Sequence, residues 1–141
     1  MLAFPKRILF VGFGFVARCT LPILLKHVRV PPENITIMEF EPDEAAIRPW
    51  VEQGVNFVRA RLASDNLGEL LDRHVSAGDI LIDLAWNIDC VEILQWCHDH
   101  GVLYLNTSVE LWDPYENAQQ AHPRKMTLYW RYMNLRRMTA G

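Results

Sequence analysis

Two spacings of apolar residues alternate along this chain. Arg7-Ile8-Leu9-Phe10-Val11 is apolar at nearly every position and stops at glycine, the pattern of a parallel strand covered on both faces. Beyond Gly14 the spacing lengthens. Val16, Leu21, Leu24, Leu25 and Val28 recur at helical intervals, and Pro22, lacking a backbone donor, predicts a kinked or late-starting helix. After the Pro31-Pro32 break, Ile35 to Phe40 is β-branched and strand-like. Asp43 can cap a helix carrying Ala46, Ile47, Trp50 and Val51, although Pro49 weakens it, and Val55 to Val58 makes a short third strand. Asn66-Leu67-Gly68-Glu69 has capping-box spacing and opens a helix with Leu67, Leu70, Leu71 and His74 on one side, closed by Gly78. Asp79 to Ala85 is the clearest buried strand, and Asp89 to His100 reads as a helix with Val91, Leu94, Cys97 and His98 on one flank. Val102 to Asn106 supplies a fifth strand. The stretch from Ala118 to Arg137 reads as helical, with a break at His122-Pro123.

Strands alternating with helices form a parallel sheet, and right-handed crossovers place helices on both of its faces. The predicted fold is α/β and doubly wound. With 141 residues, half of them hydrophobic, the chain suffices for one domain with one sizeable core, and no repeat or composition shift marks a second. Fourteen basic against 17 acidic residues, with no Lys/Arg block, argue against a binder of the nucleic-acid backbone, whose affinity rests on neutralising many phosphates at once. The apolar runs are glycine-broken or too short to cross roughly 30 Å of hydrocarbon, so no membrane span is predicted. Lys6 and Arg7 before an apolar run imitate a signal peptide, but Gly12 and Gly14 interrupt it and no small-residue cleavage site follows. Cys19, Cys90 and Cys97 are odd in number and lack C-x-x-C spacing, which suggests neither disulfides nor zinc and fits reduced thiols in the cytoplasm. His98 and His100 have no third ligand nearby, so no metal site is expected.

Gly12-Phe13-Gly14-Phe15-Val16-Ala17 satisfies G-x-G-x-x-G/A between a strand and a helix. Gly12 would permit the tight turn, Gly14 would admit a pyrophosphate to the backbone, Ala17 would keep helix and strand close, and the Phe15 and Val16 amides at the helix start would face the anion. This points to a Rossmann-type sheet. Glu39, 22 positions after Ala17 at the end of strand two, is where an acid would bond the ribose 2′-hydroxyl and repel a 2′-phosphate, favouring NAD over NADP. Glu41 competes for that role, and the nearest arginine in sequence is Arg48. Ala85 and Trp86, after strand four, should face the ribose or nicotinamide half of the cofactor, while Asn87 either bonds ligand or caps the next helix, with Asp89 another candidate cap. After strand five, Asn106 and Thr107 lead into Ser108-Val109-Glu110-Leu111-Trp112-Asp113. Two carboxylates and an indole there suit a cationic amine, or else form an acidic surface loop with a core tryptophan. Neither a G-x-S-x-G elbow nor a phosphate-binding P-loop is present.

With Gly12 to Ala17, Cys19-Thr20-Leu21-Pro22 and Tyr104 to Trp112 in view, the sequence resembles the N-terminal part of bacterial homospermidine synthases, a family related to saccharopine dehydrogenases. The resemblance implies an NAD-binding Rossmann domain over residues 1–141, followed in that family by a catalytic and dimerisation region. It implies that NAD is retained while one putrescine is oxidised to an imine, ammonia leaves, a second putrescine condenses, and the stored hydride reduces the product to homospermidine. Gly12, Gly14 and Ala17 match the pyrophosphate turn, Glu39 the ribose acid, and Glu110 the acidic diamine-binding position, with Trp112 beside it. Family chains are several times longer, so this chain alone is expected to be inactive, with a homo-oligomer expected of the full-length protein. Two other readings stand beside this one: a dinucleotide-sensing or interaction module without chemistry, and a fragment of a saccharopine-type dehydrogenase.

Overall fold

The computed structural model describes residues 1–113, 115 and 122–138. Five parallel strands form its sheet: β1 (Ile8–Val11), β2 (Ile35–Met38), β3 (Asn56–Val58), β4 (Ile80–Asp83) and β5 (Leu103–Asn106). Their spatial order is β3-β2-β1-β4-β5. The chain therefore steps outward from β1 in one direction, returns, and steps outward in the other, which leaves a reversal point between β1 and β4.

Alternation along β1 distributes the core. Ile8 and Phe10 join Phe13, Ala17, Leu21, Ile35, Ile37 and Ile47 on one face, under α1 (Phe15–His27) and α2 (Glu44–Val51). Leu9 and Val11 join Met38, Leu71, Leu81, Ile93 and Cys97 on the other, under α3 (Leu67–His74) and α4 (Cys90–Asp99). All four residues of β1 are buried, as a central strand covered on both sides requires.

Several local expectations need correction. Each strand is shorter than the apolar run that announced it, because the flanking residues leave the ladder to make turns. Helix α1 starts at Phe15, immediately after the glycine turn, and continues through Pro22. Asp43 caps α2 through the amides of Ala45 and Ala46. Asn66, by contrast, does not cap α3: its side chain accepts from the Ala63 amide at 2.9 Å and donates to the Arg61 carbonyl at 3.0 Å, fastening the preceding loop. The buried stripe of α4 is Cys90, Ile93 and Cys97, with His98 exposed. In the tail, Pro123–Met126 forms a 3-10 turn and α5 (Leu128–Met138) follows, so the helix begins ten residues later than expected; residues 118–121 of that expectation lie outside the described residues. A parallel pairing of Leu2–Ala3 with Val28–Arg29 was not anticipated.

Candidate functional site

Register aligns Met38, Val11, Asp83 and Asn106 across the carboxyl edge of the sheet. One step further lie Glu39, Gly12, Leu84 and Thr107, so four sequence-distant segments meet along one line. A cleft of about 360 Å³ opens there, lined by Gly12 and Gly14, by Glu39, Phe40 and Glu41 after β2, by Ala60, Arg61 and Leu62 after β3, and by Leu84 to Ile88 after β4. Its position at the reversal point is where open α/β sheets bind ligands.

The two turn glycines have different reasons. Gly12 has φ +85°, and a Cβ there would lie 2.8 Å from the Ala85 nitrogen, so turn geometry and the neighbouring loop both demand glycine. Gly14 has ordinary φ of −73°, and a Cβ would meet nothing within 4 Å. Packing within the fold does not need that glycine. No side chain caps the start of α1, and helix starts left open in this way suit anions as a general rule. Phe15 and Val16 of the first turn are exposed, whereas Ala17 is fully buried against the sheet.

Glu39 occupies the predicted acid position, and its carboxylate also fastens backbone. Oε2 accepts from the Phe13 amide at 2.7 Å, while Oε1 accepts from Phe40 and Glu41 at 2.8 and 3.1 Å. A carboxylate offers about four lone-pair sites, so roughly one remains for a ribose hydroxyl. Glu39 therefore ties the glycine turn to β2 as well as facing the cleft.

Across the reversal point, Ala85 packs against Gly12, and Trp86 is 78% exposed beside the cleft. Asp89 caps α4 through the Val91 and Glu92 amides at 2.9 and 3.2 Å; Asn87 does not, and instead turns the loop with φ +56°, a conformation asparagine tolerates. Asn106, Thr107 and Glu110 lie along the same sheet edge but do not line the cleft. Asn106 Nδ2 donates to the Ser108 carbonyl, and Ser108 Oγ donates to Glu110 Oε1 at 3.1 Å. Trp112 packs against the core rather than presenting a free face.

Sequence reading missed Asp83 and Tyr104 as a pair. Asp83 is 5% exposed, accepts from Tyr104 Oη at 2.8 Å and from the Ala85 amide at 3.3 Å, and so braces the loop that touches Gly12. Burial pushes its carboxyl up to about 6; the two donors oppose that rise and the Glu110 charge adds to it. The β4–β5 register, which pairs Leu81 with Tyr104 and Asp83 with Asn106, is what brings them together, and register is not visible in composition. Burial raises the Cys90 thiol to about 11, which leaves it protonated and no nucleophile. Arg61 was missed as well: twenty-two residues beyond Glu39 in sequence, it shares the cleft with it.

Residues 8–141 match the family described as the saccharopine dehydrogenase NADP binding domain. The chain belongs to this family. Among sequence relatives of this NAD(P)-binding domain are the homospermidine synthases of Blastochloris viridis and Mesorhizobium japonicum, 28% and 27% identical over 108 residues. Each alignment covers 74% of this chain and 22% of the relative, so the chain spans about a fifth of those proteins. The fold matches the structure of a Legionella pneumophila homospermidine synthase in complex with NAD, with TM-score 0.76 and 22% identity over 89% of this chain and 26% of that one. The α/β Rossmann architecture expected from the sequence is thus the observed one.

Proposed function

We propose that residues 1–141 form the NAD-binding domain of an enzyme that makes homospermidine from putrescine. The observation that carries this reading is the cleft at the reversal point, where Gly14, Glu39 and Ala85 converge from three segments. In this reading the open face at Gly14 and the first amides of α1 receive the pyrophosphate, and the remaining lone pair of Glu39 receives a ribose hydroxyl. Glu39 in the cleft disfavours a 2′-phosphate, which selects NAD. The loop of Ala85 and Trp86 underlies the nicotinamide half, with Asn106 and Thr107 beyond it. Bound NAD supplies the acceptor, and when reduced the donor, of the hydride.

Glu110 is assigned to hold an ammonium of putrescine or a related diamine. Its support is electrostatic: Glu110 is near enough to raise the Asp83 carboxyl, and a diammonium ligand would relieve that pair of acids. The homospermidine synthases among its sequence relatives support the assignment at the level of substrate class.

Calorimetric titration of the chain with NAD and with NADP tests the reading. Saturable binding with NAD at least tenfold tighter is expected. Equal affinity would remove the selective role from Glu39, and no binding of either would contradict the cofactor assignment.

A further inference from the structure

The β4 side of the cleft carries a charge that the pyrophosphate and ribose contacts do not use. Asp83 is 5% exposed and stands one residue behind the wall: its carboxylate accepts from the Ala85 amide at 3.3 Å, and Ala85 lines the cleft. Its other donor is a phenol, Tyr104 Oη at 2.8 Å. The titratable groups acting on this cluster are Tyr104 on β5, Cys90 and Cys97 on α4, and Glu110 in the loop after β5. Burial raises the phenol and both thiols, which keeps them neutral, and Glu110 is a like charge. Arg131 of α5 acts instead on Asp89, with Nη1 donating to the Val109 carbonyl. Among the described residues, no cation pairs with Asp83.

Trp86 extends from the loop that Asp83 braces, largely exposed and lining the same stretch of cleft. From Leu84 to Ile88 that stretch holds no charged side chain, and Arg61, the one cation lining the cleft among the described residues, stands on the other side after β3. A carboxylate behind a wall of low polarity projects its field into a cleft with little screening. An indole face adds to that field, because its quadrupole attracts cations. Both features favour a flat, positively charged ring. A nicotinamide ring is such a cation when oxidised and neutral when reduced, so hydride uptake cancels the charge and hydride return restores it. The two forms of the cofactor differ at that ring alone, and charge at this side of the cleft is what can tell them apart.

Resting on the dinucleotide reading above, we infer that Asp83 and Trp86 make the β4 side of the cleft selective for oxidation state, so that the domain holds NAD more tightly than NADH. Asp83 acts through its field without touching the ligand, whereas the Trp86 ring offers a face to it. For an enzyme that takes up a hydride and gives it back, tighter holding of the oxidised form favours the return.

The test is calorimetric titration of the 141-residue chain and its Asp83→Asn, Trp86→Phe and Trp86→Ala variants with NAD, NADH and ADP-ribose, with circular dichroism to confirm the fold. At about pH 8 the parent chain should bind NAD about tenfold more tightly than NADH. The preference should narrow at about pH 5.5, below the value of about 6 that burial gives the Asp83 carboxyl, because the protonated group has no field to offer. Asp83→Asn, which keeps an acceptor for the Ala85 amide, should bring the two affinities within about twofold at either pH. Trp86→Ala should narrow the preference by about threefold and Trp86→Phe, which keeps a ring face, by less. ADP-ribose, lacking the nicotinamide, should bind Asp83→Asn as it binds the parent. A parent chain that binds NADH as tightly as NAD, or an Asp83→Asn variant with the parent's preference, would overturn the selection and leave the dinucleotide reading intact. Equal weakening of ADP-ribose and NAD in Asp83→Asn would also overturn it, assigning Asp83 to the shape of the loop against Gly12. Failure of the parent chain to bind any of the three ligands would overturn both.

Discussion

Asp79 and Asp83 stand four positions apart at the two ends of β4, and both are at least 95% buried, yet the protein treats them in opposite ways. At the amino edge, Asp79 accepts from the Arg7 and Ser76 amides at 2.9 and 2.8 Å and from the Arg7 guanidinium at 2.8 Å. Burial alone would raise its carboxyl, but these donors more than offset it and hold the carboxyl below its ordinary value. At the carboxyl edge, Asp83 has one phenol and one longer amide contact, with Glu110 adding a like charge, and its carboxyl rises to about 6. One edge is closed by a saturated ion pair. The other holds under-compensated charge beside an open cleft, the condition expected where a ligand is to be bound rather than where the fold is to be sealed.

The glycines at the carboxyl edge divide in the same way, and the largest effect should come from Gly12. Gly12→Val forces a branched side chain into positive φ and against the Ala85 backbone, and about 4–6 kcal/mol of destabilisation is expected by urea unfolding. A stable Gly12→Val would mean that the Ala85 loop yields easily. Next, Asp79→Ala leaves the Arg7 and Ser76 amides without their acceptor at the closed edge and should cost about 3–4 kcal/mol. Its sign with pH follows from the lowered carboxyl: the stabilisation from Asp79 is present above the ordinary carboxylate range and fades as pH falls through the folded-state value.

Asp83 runs the other way. A carboxyl raised from 3.8 to about 6 binds its proton more tightly in the folded state, so the parent chain loses stability as pH rises between those values, by up to about 3 kcal/mol. Asp83→Asn should remove that slope and leave the variant more stable than the parent at pH 7, as read from thermal unfolding across pH. A slope that persists in Asp83→Asn would place its origin in another group.

The five strands, the glycine turn and the Asp43 cap were legible because each rests on local chemistry: apolar runs, a missing Cβ, a short polar side chain before a helix. Glu39 was legible as an acid at a fixed interval from the turn, but its bond to Phe13 was not, since that contact depends on β2 lying directly beside β1. Asn66 shows the converse failure. Its spacing from Glu69 satisfied a local rule, and a loop that needed fastening claimed the side chain instead. Asp83 with Tyr104, and Phe40 with Arg61, are pairs made by neighbouring strand ends, so they become visible only once strand order is known.

The most direct measurement is NAD titration of Gly14→Val beside the parent chain. A Cβ at Gly14 meets nothing within 4 Å, so the variant should fold with the parent's circular dichroism and unfolding midpoint. If that space exists for the pyrophosphate, NAD binds the parent chain saturably and the folded variant not measurably. A folded Gly14→Val that binds NAD as tightly as the parent would contradict the dinucleotide site at its centre.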